Sequence, residues 1–171
     1  MQDNWQKYLA EAFATFIFIF IAAGSVLANF KTNGSLGTVG IALAHGLVLA
    51  AMIYTVWHFS SAHLNPAVTV ALWATGHVKT LVAVGYIIAQ LVGSVVAALF
   101  LKVIFASVSP QYYLGDTMLL PGVTPGMGIL VEALLTFFLV WTVFATLVDK
   151  KATPGFGGLC VGLGLAVSIL V

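Results

Sequence analysis

Long apolar stretches alternate along this sequence with charged residues or clusters of glycine and proline. A helix needs about 20 mostly apolar residues to cross the hydrocarbon core of a membrane. By that measure the pattern predicts five membrane-spanning helices, at residues 8–30, 38–58, 80–101, 126–148 and 154–171. The segment Ser107–Pro125 contains Pro110, Pro121 and Pro125 and is typical of an exposed loop.

Composition narrows the class of protein. Apolar residues make up 61% of the 171 positions and charged residues only 6%, whereas a soluble domain carries about 25% charged residues. A water-soluble protein and a disordered chain are therefore excluded, and the net charge of +1 argues against a nucleic-acid partner. Cys160 is the single cysteine, which excludes an intrachain disulfide and a cysteine-based zinc site. The remaining class is a multi-pass membrane protein, all-α in fold.

The lysines beside the spans predict the orientation. Four would lie on the side of the N-terminus and two on the other, and the side richer in lysine is normally cytoplasmic. The first group is Lys7, Lys79, Lys150 and Lys151, and the second is Lys31 and Lys102. We therefore expect a cytoplasmic N-terminus.

Residues 59–79 do not fit a full span. Asn65 is a preferred N-cap, and Pro66 suits the first position of a helix because its missing N–H would be unpaired there. The apolar run Pro66–Thr75 ends at Gly76, a typical helix stop. Ten residues give a helix of about 15 Å, half of the hydrocarbon layer of about 30 Å. The pattern thus predicts a half-length helix.

The position of this half-helix follows from its neighbours. The second span ends near His58 and the third begins near Lys79, both on the inner side, so the half-helix would begin at mid-membrane and run back. Phe59–Leu64 would reach that depth as extended backbone. The alternative is an interfacial loop with a short amphipathic helix, but residues 66–75 carry no charge for its polar face. We favour the re-entrant segment.

Two parts of the chain repeat each other. Residues 10–20 match residues 131–141, with Glu11 and Thr15 aligned to Glu132 and Thr136. Residues 41–53 similarly match 159–171. The copies begin at the first and the fourth span, an odd step of three, so the equivalent helices run in opposite directions, as in inverted-repeat transporters. We predict one domain, 1–171, with a first repeat at 8–105 and a partial second repeat at 126–171. Because the counterpart of Asn65 would follow Val171, we expect the chain to be truncated.

These features resemble the aquaporin family, also called the major intrinsic proteins. The main motif is SSAHLNPAVTVAL at residues 60–72, which resembles the family's first Asn-Pro-Ala box and includes Asn65, Pro66 and Ala67. Ala10-Glu11 with Thr15, Ala89-Gln90 with Gly93, and Glu132 with Thr136 also fit the family. The family usually has glycine where Ser61 stands, which affects the packing of the loop.

The resemblance implies a bundle of six spans with two half-helices that meet at mid-membrane, assembled as a homotetramer with one pore per subunit. It also implies passive diffusion of water or small neutral solutes across a lipid bilayer, with ions and protons excluded. No enzymatic activity and no cofactor are expected, and the plasma membrane is the expected location. This chain holds five spans and one half-helix. It lacks the second box, the sixth span and the filter arginine, so it is either truncated, defective or dependent on a complement.

By resemblance, the residues around the box line the pore. Asn65 would cap the half-helix through its side-chain oxygen and donate to passing water through its amide nitrogen. The half-helix dipole would place about half a positive charge at this point. The backbone carbonyls before the cap would form a ladder of acceptors for water, and these belong to Ser61, Ala62 and His63. The imidazole of His63 would pack behind the loop.

Two further positions resemble the family's outer selectivity filter. His45 lies about 10 Å into the second span from the outer side, and Ile169 matches the fifth-span filter position at a similar depth. A His/Ile pair resembles the plant tonoplast members and would leave a wide, less hydrophobic constriction. We therefore hypothesise passage of ammonia, hydrogen peroxide or small polyols beside water. A lone histidine inside a membrane can also simply be hydrogen-bonded between helices.

Two intramembrane carboxylates need a role, because each costs about 2.5–3.5 kcal/mol at the centre of a span. By resemblance, Glu11 and Glu132 each brace a re-entrant loop by accepting from backbone N–H groups, and Gln90 ties the third span to a loop. The alternative for both carboxylates is snorkelling to the membrane surface.

Other functions fit the sequence less well. A metal or haem enzyme would use the four histidines, but no pair is spaced i, i+4 with an acidic residue nearby, so no metal site is expected. A proton-coupled carrier would need a titratable residue in mid-span other than the two glutamates. A glycerol or small-solute facilitator of the same family, or a non-conducting structural membrane protein, remains as an alternative.

Overall fold

The computed structural model describes residues 4–107 and 113–171, and within them every regular element is a helix. Helix α1 spans Asn4–Lys31, α2 Gly37–Ser60, α3 Pro66–Ala74, α4 Thr80–Ile104, α5 Pro125–Val143 and α6 Gly157–Ser168. A 3-10 turn covers Tyr113–Gly115, and α5 continues as a π-helical turn over Phe144–Val148. The expected all-α fold is confirmed.

Four of these helices are long and apolar enough to cross a membrane: Asn4–Lys31, Gly37–Ser60, Thr80–Ile104 and Pro125–Val148. Each overlaps a predicted span. Helix α1 begins four residues before the predicted start and includes Lys7, because a lysine near a helix end does not interrupt the backbone hydrogen bonds. The predicted loop at 107–125 falls partly outside the described residues, Pro110 among them.

The predicted fifth span, 154–171, is a shorter helix in the structure. Helix α6 has 12 residues, which corresponds to about 18 Å. It begins only at Gly157, because Pro154 and Gly155 form a turn in which Gly155 has a φ of +86°. Within the described residues the structure therefore contains four candidate spans, and α6 is an apolar helix too short to be counted among them.

The half-helix is confirmed as a helix of nine residues that begins at Pro66. It ends one residue before the predicted Thr75, in a Schellman motif. Gly76 adopts a φ of +80°, its N–H donates to the carbonyl of Trp73, and the N–H of His77 donates to the carbonyl of Leu72. The glycine allows the left-handed backbone that this stop requires.

Small residues let the long helices pack closely. A methyl group added to Gly46 on α2 would overlap the carbonyl oxygen of Gly162 on α6, and the reverse also holds. Gly93 on α4 lies equally close to the carbonyl of Ala12 on α1. Such close contacts are typical of helices that associate in membranes, where packing replaces the hydrophobic effect.

The core of the bundle surrounds the start of α3. The buried cluster includes Leu64 and Val68 at this point, together with apolar side chains of α1, α2, α5 and α6. In contrast, only 11% of the most apolar 18-residue stretch of Pro125–Val148 is buried. The same share is 28–39% for the other three long helices. The packing therefore places the loop before α3 at the centre of the structure.

Candidate functional site

Asn65 caps the start of α3. Its backbone is extended, and its side-chain Oδ1 accepts a hydrogen bond from the N–H of Ala67 at 2.7 Å. Pro66 occupies the first helical position, where no N–H is needed. Among the described residues, the amide nitrogen of Asn65 has no hydrogen-bond partner, and the residue borders an internal cavity. Both donors of this amide are therefore available to a molecule in the cavity.

The expectation of extended backbone before the cap is wrong. Helix α2 continues to Ser60, and the short remaining segment is coiled, with φ values of +64° at Ser61, +49° at Ala62 and +51° at Leu64. Left-handed conformations at non-glycine residues cost of order 1–3 kcal/mol each and persist only when their surroundings hold them. The surroundings here are hydrogen bonds to a buried carboxylate.

That carboxylate belongs to Glu11 on α1, whose side chain is fully buried. Its Oε1 accepts from the Ser60 hydroxyl at 2.6 Å and from the backbone N–H of His63 at 2.9 Å. Its Oε2 accepts from the backbone N–H of Leu64 at 2.8 Å and from the amide of Gln90 at 2.7 Å. Four donors thus converge on one carboxylate, which compensates for its burial.

The direction of the loop carbonyls follows from these bonds. In a trans peptide the N–H and the preceding C=O point in opposite directions. The N–H groups of His63 and Leu64 point to Glu11, and the N–H of Ala62 points to the Ser60 hydroxyl. The carbonyls of Ser61, Ala62 and His63 therefore point away from these partners.

Thr69 connects the network to α3. Its hydroxyl donates to the carbonyl of Asn65 at 3.0 Å and accepts from Gln90 at 3.1 Å. Its oxygen also lies 3.1 Å from Nδ1 of His63. Because the hydroxyl has only one proton, Nδ1 must be the donor in the third bond, which fixes the tautomer of the imidazole. Thr69 and Gln90 are both almost completely buried.

Tyr86 closes the network from α4. Its hydroxyl donates to the carbonyl of Ser60 at 2.7 Å, and its ring meets the imidazole of His63 edge to face at 4.8 Å between centroids. The imidazole is therefore enclosed between α3 and α4 and is only 6% exposed. Sequence reasoning missed Ser60, Thr69 and Tyr86. The signal for Tyr86 was its spacing of four from Gln90, which puts both side chains on one face of a helix.

A narrow cavity lies against the loop and the cap. The residues Ala62 to Asn65 form one wall, and apolar side chains of α1, α2, α5 and α6 form the rest. About 30 Å³ is available to the centre of a water molecule, enough for about two waters at 10–15 Å³ each. The wall combines the polar groups of one backbone segment with an otherwise apolar lining.

The remaining predicted residues lie elsewhere. His45 is half-buried on α2 and its Nδ1 lies 2.8 Å from the carbonyl of Ile41, one turn earlier. Ile169 caps the end of α6. Neither residue lines the narrow cavity. Glu132 is exposed on α5 and has no hydrogen-bond partner in the described part of the chain, unlike its counterpart Glu11. Across residues 4–107 and 113–171, no three metal-ligating side chains cluster.

The known proteins that are similar to this chain include several aquaporins. A family model described as "Major intrinsic protein" matches residues 1–171. Aquaporin TIP4-4 of Zea mays is 41% identical over 170 residues, which are 95% of this chain and 66% of that protein. The probable aquaporin AqpM of Archaeoglobus fulgidus is 36% identical over 92% of this chain and 72% of its own length. Aquaporin-1 of Canis lupus familiaris is 40% identical over 98% and 64%.

A solved structure shares the fold. The aquaglyceroporin from Plasmodium falciparum superposes with a TM-score of 0.82 over 98% of this chain and 71% of that chain, at 24% identity. The chain spans about two thirds of the length of the relatives above, and 54% of Aquaporin NIP1-2 of Oryza sativa.

Proposed function

The chain belongs to the major intrinsic protein family, an integral membrane family that includes the aquaporins, and from this premise we propose that it forms a passive channel for water and small neutral solutes. The observation that carries the proposal is the position of Asn65. It caps the start of a nine-residue helix in the middle of the bundle, at the wall of a cavity with room for about two water molecules.

Asn65 has the chemistry for two roles at this point. Its oxygen is used by the cap and its two amide protons remain available, so it can donate to a water molecule without losing the helix start. The dipole of α3 adds about half a positive charge at the same place. Half-helix dipoles that exclude protons and cations are known from aquaporin-type pores. The Asn65–Ala67 box would therefore be the polar, cation-excluding point of the path.

The coiled loop supplies acceptors for the same path. The carbonyls of Ser61, Ala62 and His63 point away from Glu11, and buried carbonyls need partners. Water in single file would satisfy them. Glu11 and Gln90 would then act as braces that hold the loop and touch no solute.

The repeat extends this arrangement to the second half of the domain. We assign residues 8–105 to a first repeat and 126–171 to a partial second repeat within a single domain, 1–171. Glu132 would brace a counterpart loop as Glu11 does, which accounts for an exposed carboxylate on an apolar helix. His45 and Ile169 would form the outer filter, wide enough for ammonia, hydrogen peroxide and small polyols.

The assembly and location are part of the same proposal. We place the N-terminus in the cytoplasm because four of the six lysines lie on its side. We propose the plasma membrane as the location, a homotetramer as the assembly, and transport without catalysis. The resemblance to the family supports the location, the assembly and the absence of catalysis, and the lysine distribution supports the orientation.

Osmotic shrinkage of proteoliposomes tests the proposed function. Vesicles that contain the full-length protein are mixed with a hyperosmotic solution, and light scattering follows their volume. We expect water efflux to be several-fold faster than in protein-free vesicles, and ammonia, peroxide or glycerol uptake to rise as well. Equal rates of water efflux from both kinds of vesicle would refute the channel. Faster water efflux with unchanged solute uptake would refute the wide filter.

A further inference from the structure

A second cavity, the wide cavity, has a much larger volume and lies at the end of the bundle where α2 and α5 finish. About 400 Å³ is available there to the centre of a water molecule, compared with about 30 Å³ in the narrow cavity. The wide cavity is bordered by the second half of α2, the π-helical turn, the loop before α6 and the first residues of α6. Tyr54, Trp57 and Asp149 give it a mixed aromatic and polar wall.

The two cavities share two side chains. Ile53 on α2 and Leu147 on the π-helical turn line both of them. Ile53 is 3% exposed and belongs to the buried core, and Leu147 packs against that core. A side chain that lines two neighbouring cavities stands between them. The boundary between the wide and the narrow cavity is therefore apolar.

The surroundings fix Leu147 in this position. The π-helical turn is closed by a hydrogen bond of 2.9 Å from the N–H of Asp149 to the carbonyl of Phe144. A methyl group on Gly157 would overlap the end of the Leu147 side chain, so the glycine leaves that side chain room against α6. Turns of π-helix within a longer helix frequently occur at functional sites.

The loop beyond the boundary is also held in place. The hydroxyl of Tyr54 donates to the carbonyl of Gly155 at 2.9 Å and accepts from the N–H of Leu159 at 3.0 Å. One side chain of α2 thus ties the loop and the start of α6 together. The loop that borders the wide cavity is therefore held by hydrogen bonds from α2.

We propose that Ile53 and Leu147 form an inner constriction that sorts solutes before they reach Asn65. The proposal rests on the channel function proposed above. An apolar constriction offers no hydrogen bonds, so a solute must shed part of its hydration to pass, and narrow apolar passages can empty of water altogether. Water passes at the smallest loss, and larger polar solutes such as urea or glycerol still pass but more slowly than the wide outer filter alone would allow. The wide cavity then serves as the vestibule from which hydrated solutes enter the constriction.

Size changes at Leu147 test this directly. In proteoliposomes with the full-length protein, Leu147→Ala is expected to raise the urea and glycerol permeability relative to water several-fold. Leu147→Phe is expected to lower water permeability several-fold. The matched controls are Leu134→Ala and Leu134→Phe on the same helix, because Leu134 is 59% exposed and lines neither cavity. Both controls should behave like the unsubstituted protein.

The outcomes separate the two proposals. If the unsubstituted protein conducts and both Leu147 variants keep its permeability ratios, the constriction is overturned and the channel is not. No conduction by the unsubstituted protein overturns both. If the Leu147 variants fail to fold, as judged by helical circular dichroism and gel filtration, Ile53→Val replaces them. It removes one methyl group at the same boundary, and an unchanged solute-to-water ratio in this variant overturns the constriction.

Discussion

The carboxylate of Glu11 accepts a hydrogen bond of 2.8 Å from the backbone N–H of Leu64, which lies 53 residues further along the chain. The same carboxylate holds the N–H of His63. These two bonds connect the first helix to the coiled segment that delivers Asn65 to the centre of the bundle. The geometry at Asn65 therefore depends on a residue that does not line the cavity.

Glu11→Gln should weaken this connection. Whichever oxygen becomes the NH₂ group, the two donors that it now binds would lose their acceptor, and one of them is the buried backbone N–H of His63 or Leu64. Each unsatisfied buried group costs about 1–3 kcal/mol. We expect a clear fall in the thermal unfolding temperature of the detergent-solubilised protein.

Glu132→Gln is the control for that change, because it makes the same substitution at the repeat-related position. Glu132 is exposed and without a hydrogen-bond partner in the described residues, so its substitution should shift stability by less than about 0.5 kcal/mol. Equal unfolding temperatures for the two variants would contradict the bracing role of Glu11.

Thr69→Val should destabilise the protein through two orphaned donors. Valine has nearly the shape of threonine but leaves Nδ1 of His63 without an acceptor and removes one acceptor of Gln90. We expect a loss of about 1–3 kcal/mol in the free energy of unfolding. Thr55→Val is the control, because Thr55 is exposed and its hydroxyl bonds only the carbonyl of Ala51 on its own helix. A similar loss in both variants would show that Thr69 is no more than a helix residue.

Gly162→Ala should disturb the packing of α2 against α6. The added methyl group would overlap the carbonyl of Gly46 and the side chain of Ala50, and overpacking of this kind costs about 1–3 kcal/mol. Gly126→Ala is the control, since nothing lies within 4 Å of its added methyl group. It should be neutral or slightly stabilising, because alanine favours a helix more than glycine does. Unfolding temperatures in detergent compare the two, and an unchanged value for Gly162→Ala would contradict the close crossing.

The sequence predicts the half-helix because its signals are local. Asn65 and Pro66 start the helix and Gly76 stops it, and each acts through its own backbone or side chain within a few residues. The structure confirms both ends to within one residue. Helix-capping chemistry of this kind needs no information from the rest of the fold.

The conformation before the cap could not be predicted in the same way. A positive φ is not preferred by Ser61, Ala62 or Leu64. They adopt it because Glu11 accepts hydrogen bonds from the backbone N–H groups of His63 and Leu64. Thr69 was missed for a related reason. Its role depends on which face of α3 meets α4, and the run Pro66–Ala74 is apolar nearly all round, so its pattern does not indicate a face.

The central claim is that the solute path passes the electropositive start of α3, and Asn65→Asp tests it most directly. Aspartate caps a helix as well as asparagine does, so the helix should remain, but the two amide donors are lost and a negative charge replaces them. Water efflux and proton entry are measured in the same vesicles at alkaline pH, with a trapped pH-sensitive dye. We predict that water efflux persists and that proton or cation leakage appears only in the variant. Unchanged exclusion of protons and cations in a folded, water-conducting Asn65→Asp protein would contradict the claim.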